Sequence, residues 1–141
     1  MPSAGVVADA NVLLSAVIGK AAARVFFDFE IAVHVAEFNA GEVEEYLPRM
    51  ASKYGVPMDL VELQWHLLPL QVHSAETYRD QMIWARQALA RRDPEDAHAL
   101  ALAATLGLPL WSNDHDLQGH GVKTYTTAQL LRELDRGEAG P

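Results

Sequence analysis

The chain has no cysteine among its 141 residues. That excludes disulfides, iron–sulfur clusters, thiolate zinc sites and cysteine nucleophiles. Any metal must therefore be held by oxygen or imidazole. There is no apolar run near the roughly 20 residues of a membrane-spanning helix, nor a basic-then-apolar leader, so a cytoplasmic protein with no membrane partner is expected. Cations are scarce: 11 Lys and Arg stand against 19 Asp and Glu, a formal charge of −8. Non-specific affinity for nucleic acid comes mainly from Lys and Arg meeting phosphates, so generic coating is disfavoured. An acidic site that reaches phosphates through bound cations stays open.

Half of the residues are hydrophobic, and the length suits one domain with a sizeable core. No repeat or linker interrupts it, so one domain over 1–136 is expected, with a flexible tail over 137–141. Apolar strand-like pieces alternate with longer helical patterns, which reads as α/β. The strands are predicted at Gly5–Ala8, Ile31–Val35, Leu70–His73, Pro109–Ser112 and Val122–Tyr125. Helices are predicted at Val12–Ile18, Ala21–Phe29, Ala40–Tyr54, Met58–Leu67, Ala75–Ala90, Pro94–Leu106 and Thr127–Asp135.

The run "VVADANVLLSA" passes from a buried parallel strand into Asp9, at the strand end where α/β ligand crevices form. Capping of the next helix is the alternative role for that carboxylate. In "RRDPEDAHALALAATLG", Asp93 fits the N-cap, Pro94 the first turn and Gly107 the C-cap. Helical spacing sets Asp96 above Leu100, Ala103 and Gly107, and turns Glu95 to a neighbouring face. In "EFNAGEVEEYLPRMASKYG", Val43, Leu47, Met50 and Tyr54 make the apolar stripe. Glu42 stands at its border near the helix start, while Glu45 has Arg49 four residues on as an exposed pair. "LPLWSNDHDLQGHG" runs from a strand into a loop carrying Asp114 and Asp116. That loop is no calcium loop, because the twelfth position is Tyr125 rather than a bidentate Glu. His98, His115 and His120 lack a zinc spacing and fit surface or capping roles.

These acids converge on one edge of a parallel sheet. Uncompensated, they would raise one another's pKa values, and divalent cations are the natural remedy. All-oxygen ligation suits Mg²⁺ or Mn²⁺, and a pair of such ions can activate water and stabilise a leaving oxygen. A receiver-type phosphotransfer domain would want a second acid where Asn11 stands, and Lys123 is a poor match for its lysine.

"DANVLLSA", "EVEEYL", "DPEDAHALALA" and "LWSNDHDL" occur in the order and approximate spacing of PIN-domain ribonucleases, and the chain resembles that family from Val6 to about Leu134. The resemblance implies a three-layer α/β/α sandwich on a parallel, five-stranded sheet, and Mg²⁺- or Mn²⁺-dependent cleavage of single-stranded RNA. It maps the catalytic acids onto Asp9, Glu42, Asp96 and Asp114, with Asp116 as an accessory metal ligand. Asn11 and Ser112 resemble the polar residues that orient the first and fourth acids. Glu37 or Glu45 replaces Glu42 if the helix starts elsewhere. Small stand-alone relatives of the VapC type are toxins, often dimeric and blocked by an antitoxin, so a homodimer and an antitoxin partner are expected. A housekeeping RNA-processing nuclease and a catalytically silent interaction module are the alternatives. Arg91 and Arg92, just before the helix of Asp96, are candidate RNA contacts, followed by Lys20, Arg24 and Lys53.

Overall fold

The computed structural model describes residues 4–89 and 94–139. Val6, Val7 and Ala8 form strand β1 (Val6–Ala8), fully buried on both faces, as expected of a central parallel strand. Helix α1 (Ala10–Val17) follows directly, then α2 (Ala23–Phe27), β2 (Val33–Ala36), α3 (Glu37–Tyr54), α4 (Met58–Leu67), β3 (Leu70–His73) and α5 (Ala75–Ala88). A 3₁₀ turn at Pro94–Asp96 leads into α6 (Ala97–Leu106), and β4 (Leu110–Trp111), a 3₁₀ turn at His115–Leu117, β5 (Thr124–Tyr125) and α7 (Thr127–Ala139) complete the described chain.

The five strands are all parallel, in the order β3-β2-β1-β4-β5. Side chains alternate across the pleat and define the two cores. Val6, Ala8, Val33, Val35 and Trp111 face the layer that contains α1, α3 and α4. Val7, Ala36 and Leu110 face α5 and α6. The result is the three-layer sandwich expected.

β3 spans the expected Leu70–His73, and the other four strands are shorter than the runs that signal them, because parallel pairing stops where the chain turns toward a helix. Helix α3 begins at Glu37, three residues before the expected Ala40. Ala36 is the extended residue at the boundary, and Asn39 and Ala40 already lie on the buried helical face. The predicted helix from Pro94 is split into a 3₁₀ turn and α6, and Asp93, its expected N-cap, lies outside the described residues. Gly107 does close α6 in the left-handed conformation, with φ of 66°, which a residue without Cβ adopts at little cost. Helix α7 continues past the expected Asp135 to Ala139.

Candidate active site

In a parallel sheet the carboxyl ends of the strands share one edge, and here the expected acids gather there. Asp9 directly follows β1, and Asp114 lies three residues beyond β4. Helix α3 springs from the end of β2 and carries Glu42. Helix α6 runs back toward β4, so its start, with Asp96, also lies at this edge.

Asp9 is 8% exposed. Its Oδ1 accepts from the Val12 backbone N–H at 3.0 Å, capping α1. The Ser112 hydroxyl and the Asn11 backbone N–H also bond to this carboxyl. Ser112 Oγ in turn accepts from the Asp114 backbone N–H at 3.0 Å, so one hydroxyl ties the end of β1 to the loop after β4. Burial pushes the Asp9 pKa up, and the charge of Asp114 pushes it further, against the bonds from Ser112 and Val12. Capping is thus real, yet a cap alone needs neither burial nor a second carboxylate. Ser112 bonds to Asp9 through its side chain, whereas Asn11 contributes its backbone N–H and is exposed.

Asp114 Oδ1 accepts from the Asp116 N–H at 2.9 Å and both residues are half-buried, so Asp116 helps fix the loop that bears Asp114.

Glu42 is half-buried, with Oε1 accepting from Asn39 Nδ2 at 2.8 Å. Burial raises its pKa to about 7; Asn39 opposes the shift, while a shared hydrogen bond with Glu95 and the charges of Glu95 and Asp96 add to it. With α3 starting at Glu37, Glu42 falls in the second turn, and the macrodipole support of a first-turn acid goes to Glu37 instead. Glu95 also differs from expectation, meeting Glu42 rather than turning aside. The cause is the 3₁₀ turn, whose three residues per turn rotate Glu95 relative to an α-helical start. Asp96 sits at the N-cap of α6 without a side-chain cap bond. Asn39 escaped the sequence reading altogether. It is 3% exposed, and its Oδ1 has no hydrogen-bond partner among the described residues. A polar residue on the buried face three positions before Glu42 was the available signal.

Because the folded-state pKa of Glu42 lies above its ordinary value, its contribution to stability is full below about 4.5 and is lost as pH rises through about 7. The melting temperature of the metal-free protein should fall over that window, and Glu42→Gln should flatten the fall. An unaltered pH profile in a calorimetric scan of the variant would remove Glu42 from the acidic cluster.

The donors here are carboxylate and amide oxygens, which suit a hard divalent cation. The raised pKa values of Asp9 and Glu42, and the orphaned Asn39 oxygen, fit the same view, since positive charge at the edge would relieve all three. The acids fall into two groups, Asp9 with Asp114 and Glu42 with Glu95 and Asp96. Among the described residues no three His, Asp or Glu side chains are grouped so as to hold an ion.

Among the described residues, the candidate RNA-contact cations lie elsewhere. Lys20 follows α1 and Lys53 ends α3; both approach the Tyr54 ring, and Lys20 Nζ donates to its hydroxyl at 3.0 Å. Lys53 is eleven residues beyond Glu42, about 16 Å along the helix axis. Arg24 is paired with Asp28 at 2.8 Å. Tyr54, expected in the apolar stripe, is instead 38% exposed beneath these ammonium groups. Arg91 and Arg92 lie outside the described residues. The expected Glu45–Arg49 pair is absent among the described ion pairs; Arg49 lies 5.1 Å over the Tyr46 ring instead.

A cleft of about 640 Å³ opens beside Glu42, between the first turns of α3, the start of α5 and the Pro94–Asp96 turn. Another, of about 660 Å³, lies at the opposite edge, where β4 and β5 begin, and no acidic residue lines it. Size does not identify the site; the acids do.

Fold and site together define a parallel α/β/α domain with an acidic centre at its strand ends. Residues 7–135 match the PIN domain, and the chain belongs to the PIN-domain family. No curated protein matches it. Among solved structures it is similar to PAE2754 from Pyrobaculum aerophilum, with TM-score 0.74 and 15% identity over 95% of this chain and 97% of that one. It is also similar to a chain of a toxin-antitoxin complex from Klebsiella pneumoniae, with TM-score 0.65 and 18% identity over 87% and 98%. A third is Mycobacterium tuberculosis VapC20, a Sarcin-Ricin loop cleaving toxin, with TM-score 0.58 and 16% identity over 84% and 96%. At these identities the likeness is one of fold. Among the described residues no helix is long and apolar enough to cross a membrane.

Proposed function

We propose that the protein is a divalent-metal-dependent endoribonuclease that cuts single-stranded RNA, with Asp9, Glu42, Asp96 and Asp114 as its acids. The observation that carries this reading is the burial of Asp9 against the charge of Asp114 at the sheet edge, an arrangement that costs stability and serves no packing purpose. When bound at Asp9, Asp96 and Asp114, with Asp116 beside them, Mg²⁺ or Mn²⁺ would supply the charge that activates water and stabilises the departing oxygen. The chain's own part is to hold the acids in place. Ser112 orients Asp9, the Asp116 N–H fixes Asp114, and Asn39 fixes Glu42. The named neighbours include a chain of a toxin-antitoxin complex and a Sarcin-Ricin loop cleaving toxin, which supports a toxin with an antitoxin partner; a cytoplasmic homodimer belongs to the same proposal.

Cleavage of a single-stranded RNA in Mn²⁺, abolished by EDTA and restored by fresh Mn²⁺, is the primary test; an inert protein in both Mg²⁺ and Mn²⁺ would end the proposal. The two loop acids should separate in the same assay. Loss of an outer partner of a metal ligand typically costs about 10–100-fold, which is expected for Asp116→Ala. Asp114→Ala should lose more. Wild-type activity of Asp114→Ala at saturating Mn²⁺ would overturn the assignment.

A further inference from the structure

We propose that the cleft beside Glu42 is a nucleobase pocket that takes a guanine of the RNA strand, an inference that rests on the ribonuclease reading. Helix α3 presents two adjacent rows to this cleft, Phe38, Glu42 and Tyr46 in one and Glu37, Gly41 and Glu45 in the other, each at a spacing of four. Gly41 is the unexpected member. A Cβ there would meet nothing within 4 Å, and its φ is not positive, so neither packing nor backbone conformation calls for glycine. In a helix interior glycine only weakens the helix. Its effect at this position is to leave a hollow between Glu37 and Glu45, beside the row that carries Phe38 and Tyr46.

Those aromatics are suited to stacking. One face of the Phe38 ring lies on His98, with centroids 4.0 Å apart and planes 8° from parallel. His98 Nδ1 is in turn hydrogen-bonded to the Tyr78 hydroxyl at 2.8 Å, so the platform is braced. Phe38 remains 38% exposed and Tyr46 42%. Unstacked bases of single-stranded RNA are commonly held on such rings and read along their Watson–Crick edges. The cleft's volume lies within the roughly 300–1,000 Å³ usual for small-molecule sites.

The rim chooses the base. Glu37 and Glu45 offer only acceptors when ionised, so the occupant must bring donors. Guanine presents two neighbouring donors, N1–H and the N2 amino group, which match the two oxygens of one carboxylate. Uracil presents a single N–H between two carbonyls, which carboxylates repel. A neutral base also enters an acidic cleft more readily than a phosphate does, which reconciles RNA binding with the net charge of −8. Arginine carries a similar donor fork, but the Gly41 hollow beside the exposed Phe38 ring favours a wider ring.

Saturation-transfer NMR on the metal-free chain with guanosine, inosine or uridine tests the pocket without relying on catalysis. Guanosine should bind best, and inosine, which lacks the N2 amino group, less well. Phe38→Ala should weaken guanosine binding about tenfold, within the range for lost base stacking. Glu45→Gln should erase the preference over uridine. Gly41→Ala should melt at a higher temperature than wild type and yet bind guanosine more weakly, a combination that a purely structural glycine would not give. With Mn²⁺ and a random-sequence RNA, wild-type cuts should show guanine at a fixed distance from the cleaved bond. Glu45→Gln should cut without that preference. Equal binding of guanosine and uridine would overturn the proposal, as would binding of N-acetyl-arginine amide with no nucleoside bound. Guanosine binding by a protein that cuts no RNA would uphold the pocket while refuting the ribonuclease reading.

Discussion

Asp9→Asn is expected to abolish RNA cleavage while leaving the melting temperature unchanged or higher. The variant keeps an oxygen that can accept from the Val12 N–H, so α1 remains capped. It removes a negative charge that burial and Asp114 both disfavour. The sign follows from linkage: a carboxyl with a raised folded-state pKa loses stability as it ionises, and a neutral amide does not. Divalent cations provide a second readout. A ligand that binds only the folded state stabilises it by RT ln(1 + [L]/Kd), about 2.7 kcal/mol at one hundred times Kd. Mn²⁺ should therefore raise the melting temperature of the wild type and leave that of Asp9→Asn where it was. Asp9→Ala should instead lose about 0.5–2 kcal/mol with the cap. Full activity in the Asn variant would show that the carboxylate acts as a cap alone.

Trp111→Ala carries the largest expected loss of stability. Trp111 is fully buried on β4, between β1 and the edge strand β5, packs its ring at 47° against Phe26, and donates from Nε1 to Thr127 Oγ1 at 2.9 Å. Truncating such a side chain typically costs about 3–5 kcal/mol, against a total of about 5–15 kcal/mol for an ordinary domain. Urea denaturation should show the midpoint falling accordingly. Trp111→Phe keeps most of the packing and forfeits the hydrogen bond, so it should lose less and still cut RNA. A loss below about 1 kcal/mol in the alanine variant would mean that the core around Phe26 and Thr127 collapses into the space, contrary to its close packing.

The features legible in the sequence were those with a local cause. An unbroken apolar run marked β1, the alternation of Leu70, Gln71, Val72 and His73 marked β3, Gly107 marked the end of α6, and a carboxylate at the end of a buried strand marked Asp9. Position along the chain was enough to bring Asp114 and Asp96 to the edge of Asp9. The rest depended on contacts between distant segments. Whether Glu37, Glu42 or Glu45 meets the other acids is fixed by where α3 starts and by the 3₁₀ turn opposite. Neither has a period that can be read locally. Glu95 departs from the face that α-helical spacing predicts because Pro94 opens a 3₁₀ turn rather than an α-helix. Asn39 carries only its spacing to Glu42 as a local signal and the Phe38–His98 stack carries none, because a polar or aromatic residue on a helix acquires its role from the element that packs on it.

The strand order sets when the site can come into being. β1 pairs on one side with β2, close behind it in sequence, but on the other with β4, where Val7 lies opposite Leu110 and Ala8 opposite Trp111. A chain emerging from the ribosome begins with its first segments and can organise the β1–β2–β3 half early. Until the last third is synthesised it lacks Ser112, which ties Asp9 to the later loop, and Asp114 itself. The Asp9 half of the acidic centre is therefore a late product of folding, and a nascent or truncated chain ending before β4 holds Asp9 without Ser112 and Asp114, although Glu42 already has Asn39, Glu95 and Asp96.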